Sequence, residues 1–385
     1  MKTMGIKALI SVISIMGAAQ VAHAADVIKI GVNQPLTGVV AAAGTFVAEG
    51  AKIAAAEINE NGGVLGKKLE LVIEDNKSNP TEASNVTEKL IVRDKVPAIM
   101  GAWSSTYTLA SMPKLMEYRI PMLVETASSS KITKQGNPYV FRISPTSAME
   151  AASFADRVKP MGITKVDFLV VNNDWGLGAA QAYGEMLKAQ GVEVGETHIM
   201  DAAAQDMTSQ LAAIKHAKKQ PSHVFLTSGT EQITLVAKQA EALGIDVPFI
   251  TTGGIMPQQL IDQAGKAANN TYHVMFFVPW FPDATLNPEA ARGFVEQWAK
   301  MGLDPAGSPE GARGYDGIHT LAAAIEKAGE ADPAKIQAAL WKTEIDGLTG
   351  HVKFNKDGPA GKESGQSVPM TYLVKIEDGK IVNTD

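Results

Sequence analysis

The 385-residue sequence contains no cysteine. That excludes a thiol nucleophile, a cysteine metal site, a disulfide framework and a lipid-modified N-terminal cysteine. An excess of positive charge is also missing: 35 Lys+Arg stand against 41 Asp+Glu, a net charge of −6. With no basic stripe along the chain, a nucleic-acid footprint is not expected. After the N-terminus no run is long and apolar enough to cross a bilayer, so direct membrane insertion is not expected either. Low-complexity tracts and short-period repeats are absent. The seven histidines (23, 198, 216, 223, 273, 319, 351) are isolated, with no pair at a helical metal-ligand spacing.

At the N-terminus, Lys2 and Lys7 precede an apolar stretch from Ala8 to Ala19, and Ala22-His23-Ala24 stands before Ala25. A positive start, a short apolar stretch and a small-x-small site have the order of a secretory signal, expected over 1–24. A buried N-terminal helix fits less well, because Ala-His-Ala-Ala-Asp followed by VIKIGV is a poor helix end. Export to the periplasm is the expectation, and a core of this size needs no disulfides there.

From Val27 onward, short β-branched runs alternate with helical patterns: VIKIGVN, LELVIED, VPAIMG and IPMLVET in one series. KVDFLVVN, VEVGETHIM, HVFLTS, VPFITTGG and YHVMFFVPW follow in a second. Strand–helix alternation implies parallel sheets flanked by helices, and two series in tandem imply two doubly wound α/β lobes. The tail differs: helical patterns near 288–302 and 312–328, then GHVKFN and MTYLVKIEDGKIVNTD, with Asp378-Gly379 as a hairpin signal.

In such folds ligands sit beyond the carboxyl ends of the strands, where helix N-termini point. Several of these ends carry small polar residues: Ala102-Trp103-Ser104-Ser105-Thr106, Thr126-Ala127-Ser128-Ser129-Ser130, Gly229-Thr230 and Thr251-Thr252-Gly253-Gly254. Any one of them alone reads as an N-cap. Together their hydroxyls and unpaired N–H groups suit a carboxylate in a shared cleft. Trp175, between Asp174 and Gly176, offers a ligand platform, and Trp103, Tyr107 and Trp280 also lie near strand ends. A serine nucleophile at Ser104 or Ser105 lacks a glycine-flanked elbow, and its histidine base would have to come from elsewhere in the chain. GAWSST lacks the lysine of a phosphate loop, and Gly176-Leu-Gly178 lacks the third glycine of a dinucleotide motif.

The segments GVNQPLTG, INENGGVLGKKLELVIEDNKSNP, VPAIMGAWSS, YVFRISPT, DWGLG, GARGYDGIHTLAAAIEKAG and LTGHVKFNKDG resemble the periplasmic solute-binding proteins of branched-chain amino-acid type. The similarity runs over nearly all the chain after the N-terminal segment. It implies a type I periplasmic binding protein, with two lobes joined by three crossovers near Ser144, Val278 and Leu348. Residues 25–144 plus 278–347 would form one lobe, and 145–277 plus 348–385 the other, with ligand trapped between them by hinge closure. It further implies a non-enzymatic, cofactor-free monomer that hands a small carboxylate to an inner-membrane ABC permease. A sensor that presents its solute to a chemoreceptor or kinase is the alternative, and a serine hydrolase at Ser104 or Ser105 a more distant one.

The resemblance places the carboxylate-holding serine on Ser104 and a companion hydroxyl on Ser128, with Ala127 or Thr126 supplying backbone. It places the second-lobe aromatic on Trp175. Ser105, Trp103, Gly253 and Trp280 complete the expected site. Two positions depart from the family. The acid that pairs with a ligand ammonium falls on Gly253, and a first-lobe aromatic falls on Ala43. Either Glu125, Asp174 or Glu231 takes over from the missing acid, or the ligand has no ammonium, since burying one unpaired costs several kcal/mol. A small acid with an apolar or aromatic body follows from these departures. An ordinary branched-chain amino acid follows instead if the correspondence is shifted by a residue or two.

Overall fold

A computed structural model describes residues 27–253 and 255–384. The expected signal peptide lies outside the described residues. The chain starts with β1 (Val27–Gln34), α1 (Ala41–Glu60), β2 (Lys68–Asp75), α2 (Pro80–Val92), β3 (Ile99–Gly101), α3 (Ser105–Tyr118), β4 (Met122–Val124), α4 (Lys131–Lys134) and β5 (Val140–Arg142). These five strands pair in parallel in the order β5-β4-β3-β1-β2. After Arg142 the chain passes to a second sheet through α5 (Ser147–Phe154). That sheet's series is β6 (Lys165–Val171), α6 (Asp174–Ala189), β7 (Glu193–Met200), α7 (Thr208–Lys215), β8 (His223–Thr227), α8 (Thr230–Ala242), β9 (Phe249–Thr251), α9 (Pro257–Ala264) and β10 (Thr271–Met275). Its strands are again parallel, in the order β10-β9-β8-β6-β7.

Local chemistry explains many of the boundaries. Asn79, Asn287 and Asp332 each cap a helix with a side-chain oxygen, and each is followed by a proline whose missing N–H costs nothing at that position. Central strand β6 is buried along its whole length, as a strand covered by helices on both faces must be.

The tail finishes both sheets. α10 (Pro288–Lys300), α11 (Ser308–Ala328) and α12 (Pro333–Leu340) return to the first lobe. There α11 lies unusually close to α1. A Cβ on Gly50 would stand 1.8 Å from the Gly311 carbonyl oxygen, and one on Gly314 1.9 Å from that of Val47. Only glycine permits that approach, and it fixes the depth at which α11 sits in the lobe.

The third passage between sheets differs from the sequence expectation. β11 (Glu344–Asp346) and β12 (His351–Lys353) form a two-stranded ribbon, and β13 (Asn355–Asp357) and β14 (Ser364–Gln366) then extend the first sheet. Gly365 and Gln366 pair with Phe141 and Arg142 of β5, and the Phe354 ring meets the Phe141 ring edge-on at 5.2 Å. The chain therefore reaches the second sheet only at β15 (Tyr372–Glu377) and β16 (Lys380–Asn383), well after Leu348. Strands of three residues carry too little periodicity to reveal which sheet they join.

Candidate functional site

A cavity lies where the carboxyl ends of the two parallel sheets face each other. Trp103, Ser104 and Ser105 enter it from the end of β3, and Thr126, Ala127 and Ser128 from the end of β4. Glu150 of α5, Trp175 of α6 and Gly253 after β9 face them, while Phe276 and Arg313 come from the segment after β10 and from α11. Trp280 does not line the cavity; it packs with Met275, Val278 and Tyr372.

At the first-lobe end the hydrogen-bond inventory has a gap. Ser104 occupies the N-cap of α3, yet its side chain makes no capping bond, and the N–H groups of Ser105, Thr106 and Tyr107 find no acceptor among the described residues. In contrast, Asn173 satisfies the start of α6 through Trp175 N–H and Gly176 N–H. The open end of α3 presents a partial positive charge and free donors. The neighbouring β4 loop is held from behind. Arg142, fully buried, donates to the carbonyls of Ala127 (3.1 Å) and Ser129 (2.7 Å), to Thr133 (3.0 Å) and to Gln366 (2.6 Å). Burial lowers its pKa to about 9. Ser105 Oγ accepts from Ser129 N–H at 3.0 Å, tying the two loops together.

The acid missing from the Gly253 position arrives from elsewhere. Glu150 Oε1 accepts from Gly253 N–H at 2.9 Å and from the Tyr183 hydroxyl at 3.1 Å. Burial lifts the Glu150 carboxyl to about 7, against those two hydrogen bonds and the Arg313 charge. None of the three acids considered from the sequence lines this cavity. Glu125 is buried behind it with Gln34, Asp174 sits at its lip, and Glu231 starts α8. Gly253 itself has no room for a side chain: a Cβ there would lie 2.6 Å from Phe276 Cζ. The Phe276 ring therefore fills space next to Gly253 that a larger residue at that position would need. Ala43 packs into the first-lobe core, in the same cluster as Trp103.

Trp103 adopts a left-handed backbone (φ 58°) and donates its indole N–H to Glu310 at 3.0 Å. Glu310 also pairs with Arg313 (3.4 Å), whose guanidinium stacks on Phe276 at 4.6 Å. Across the cleft lip, Asp174 accepts from Thr106 (3.3 Å) and Lys131 (2.8 Å) of the opposite lobe. No histidine lines the cavity, so Ser104 and Ser105 have no imidazole base there.

Sequence reasoning missed Glu150, Phe276 and Arg313. Glu150 had a signal: Ser147, Glu150, Ala151 and Phe154 recur at helical spacing, which puts the acid on the buried face. Arg313, between Gly311 and Gly314 on an Ala/Gly-rich face, was likewise a charge on the wrong side of a helix. Phe276 had none, because the alternation of β10 ends at Met275.

Comparison with known proteins gives a consistent picture. A family profile described as periplasmic binding protein matches residues 27–380. A leucine-, isoleucine-, valine-, threonine- and alanine-binding protein of Pseudomonas aeruginosa is 28% identical over 360 residues, covering 92% of this chain and 93% of its own. A branched-chain amino acid transporter substrate-binding protein from Streptococcus pneumoniae, solved with isoleucine, superposes with a TM-score of 0.80 at 26% identity, covering 92% of this chain and 98% of its own. A solute-binding protein of an ABC transporter from Rhodopseudomonas palustris, solved with 3,4-dihydroxybenzoic acid, gives 0.80 at 27%, covering 93% and 95%.

Proposed function

The chain belongs to the periplasmic binding protein family, and on that premise we propose that its interlobe cavity captures a small carboxylate for an ABC importer. The relatives' ligands define two classes, small aliphatic amino acids and aromatic acids, and the importer role follows from the same relatives. The observation that carries the reading is the uncapped start of α3, whose free N–H groups and Ser104 hydroxyl open into the cavity. A carboxylate there gains charge-assisted hydrogen bonds that the protein does not make for itself. Trp103, Trp175 and Phe276 offer the apolar remainder of the ligand flat surfaces. The donors come from one lobe and Trp175 from the other, so full affinity requires the lobes to be together. The bonds across the lip support such a closed state. A sensor role would use the same binding step and differ only in the downstream partner.

A thermal-shift panel of aliphatic amino acids, 2-oxo acids and aromatic acids tests this. Ligand at a hundred times Kd stabilises the native state by about 2.7 kcal/mol. In Ser104→Ala the affinity for the best ligand should fall by about tenfold or more, with the unliganded melting temperature unchanged because the side chain caps nothing. No shift with any acid, or unchanged affinity in Ser104→Ala, overturns the proposal.

A further inference from the structure

A carboxyl group stands directly behind the loop on which the cavity would seat a ligand carboxylate. Glu125 follows β4 and immediately precedes Thr126, the first cavity-lining residue of that loop. It is 2% exposed, and its Oε1 accepts from Gln34 Nε2 at 2.8 Å and from the Thr126 hydroxyl at 3.5 Å. Its Oε2 is enclosed without a hydrogen-bond partner among the described residues, and so is Oε1 of the Gln34 amide. An ionised carboxylate only accepts, so it would leave both oxygens without a donor and place an unpaired charge in the interior. One proton on Glu125 supplies a donor and removes the charge. Among the neighbouring elements, α11 brings Gly317, which sets no side chain against Glu125, and Arg313, whose charge is matched by Glu310 at 3.4 Å. Burial outweighs the Gln34 bond, the Arg313 charge and the Trp103 N–H, and lifts the Glu125 carboxyl to about 7.

An ionised Glu125 would oppose an anion in the cavity twice over. Its charge would act from one residue behind Thr126, through an interior that screens poorly, and it would hold the Thr126 hydroxyl more firmly to itself. We infer that solute capture is coupled to a proton: the cavity takes a carboxylate while Glu125 is uncharged, so binding draws a proton onto Glu125 wherever that residue is ionised. This inference rests on the carboxylate reading above and adds a proton to its binding equilibrium. Glu150 is a second buried acid, also lifted to about 7 by burial, and it lines the cavity itself. It is therefore the control against which the role of Glu125 is measured.

Infrared spectra of the unliganded protein locate the proton. Wild type minus Glu125→Gln should show the C=O stretch of a protonated carboxyl at about pH 6, largely lost by about pH 8.5. A difference spectrum without that band overturns the inference. Calorimetry with leucine and with benzoate, in two buffers of different ionisation heat, then reads the coupling. For whichever probe binds, the affinity should be flat below about pH 6.5. Above about pH 7.5 it should fall by up to about tenfold per pH unit, with protons taken up on binding. The fall should disappear in Glu125→Gln and persist in Glu150→Gln, whatever the affinity of that variant. A flat wild-type profile, or a fall that Glu125→Gln keeps and Glu150→Gln abolishes, overturns the inference and leaves the carboxylate proposal standing. If neither probe binds at any pH the coupling fails, and the thermal-shift panel decides the carboxylate proposal separately.

Discussion

Replacing Gly253 by alanine would set a methyl group 2.6 Å from Cζ and 2.7 Å from Cε2 of Phe276. Ordinary carbon contacts start near 3.5 Å, so the ring must retreat by about 0.9 Å. It has little freedom to do so, being 5% exposed with Arg313 stacked on one face. Gly253 is not in the left-handed region, so the backbone accepts alanine and the effect is steric. Its N–H remains available to Glu150. Overpacking of this kind costs about 1–3 kcal/mol, which lowers the melting temperature of a chain this long by a few degrees. A ring displaced into the cavity it lines should weaken the best ligand by about tenfold, or roughly 1.4 kcal/mol. Calorimetry and a melting curve on the same sample read both quantities. Gly178→Ala is the control: it lies inside α6 with nothing within 4 Å of an added Cβ, so it should stabilise by about 0.5–1 kcal/mol. Wild-type stability and affinity in Gly253→Ala would refute the assignment of Phe276 to the cavity wall.

Two further outcomes follow. Burial raises Glu125 to about 7, against a hydrogen bond from Gln34. The folded state then holds a proton that the unfolded chain releases near 4.5, so this group's contribution to stability declines as pH rises from about 4.5 to about 7. Burial lowers His273 to about 3, which works in the opposite sense below 6.5. The measurement is therefore the stability of Glu125→Gln minus that of wild type across pH 5–8, and a difference that does not rise with pH refutes the reasoning. At the lip, Lys131→Ala removes a half-exposed bond to Asp174 worth at most about 1 kcal/mol. Ligand release in stopped flow should quicken by about two- to fivefold at low salt and return to wild type in about 0.5 M salt. An increase that salt does not abolish would assign another role to Lys131.

The β-branched runs made both sheets legible, and the polar ends of IMGAWSS and VETASSS marked the part of the cavity built from consecutive residues. In each case the signal is local: a strand, a glycine or small residue, and then a helix start. Glu150, Phe276 and Arg313 reach the cavity only because distant segments pack together, Arg313 through the glycine contacts of α1 with α11. A sequence can show that Gly253 lacks an acid, but the proximity of Gly253 to Glu150 spans 103 positions. Trp280 misled for the opposite reason: it shares a segment with Phe276, but the chain turns after β10 and carries it into a separate cluster with Tyr372.

Arg142 gives the cavity an order of assembly. The guanidinium that orients the Ala127 and Ser129 carbonyls is itself held by Gln366, whose amide also donates to the Ser144 carbonyl at 2.8 Å. The loop beside the open end of α3 is thus secured by a residue made almost last. A growing chain can complete β1–β5 and β6–β10, the consecutive parallel series of both sheets, by Met275 and still lack β14 and with it the brace for this loop. Competence to hold solute would then arrive late in synthesis, and a fragment ending before Gln366 would be folded in outline yet loose where the carboxylate must sit.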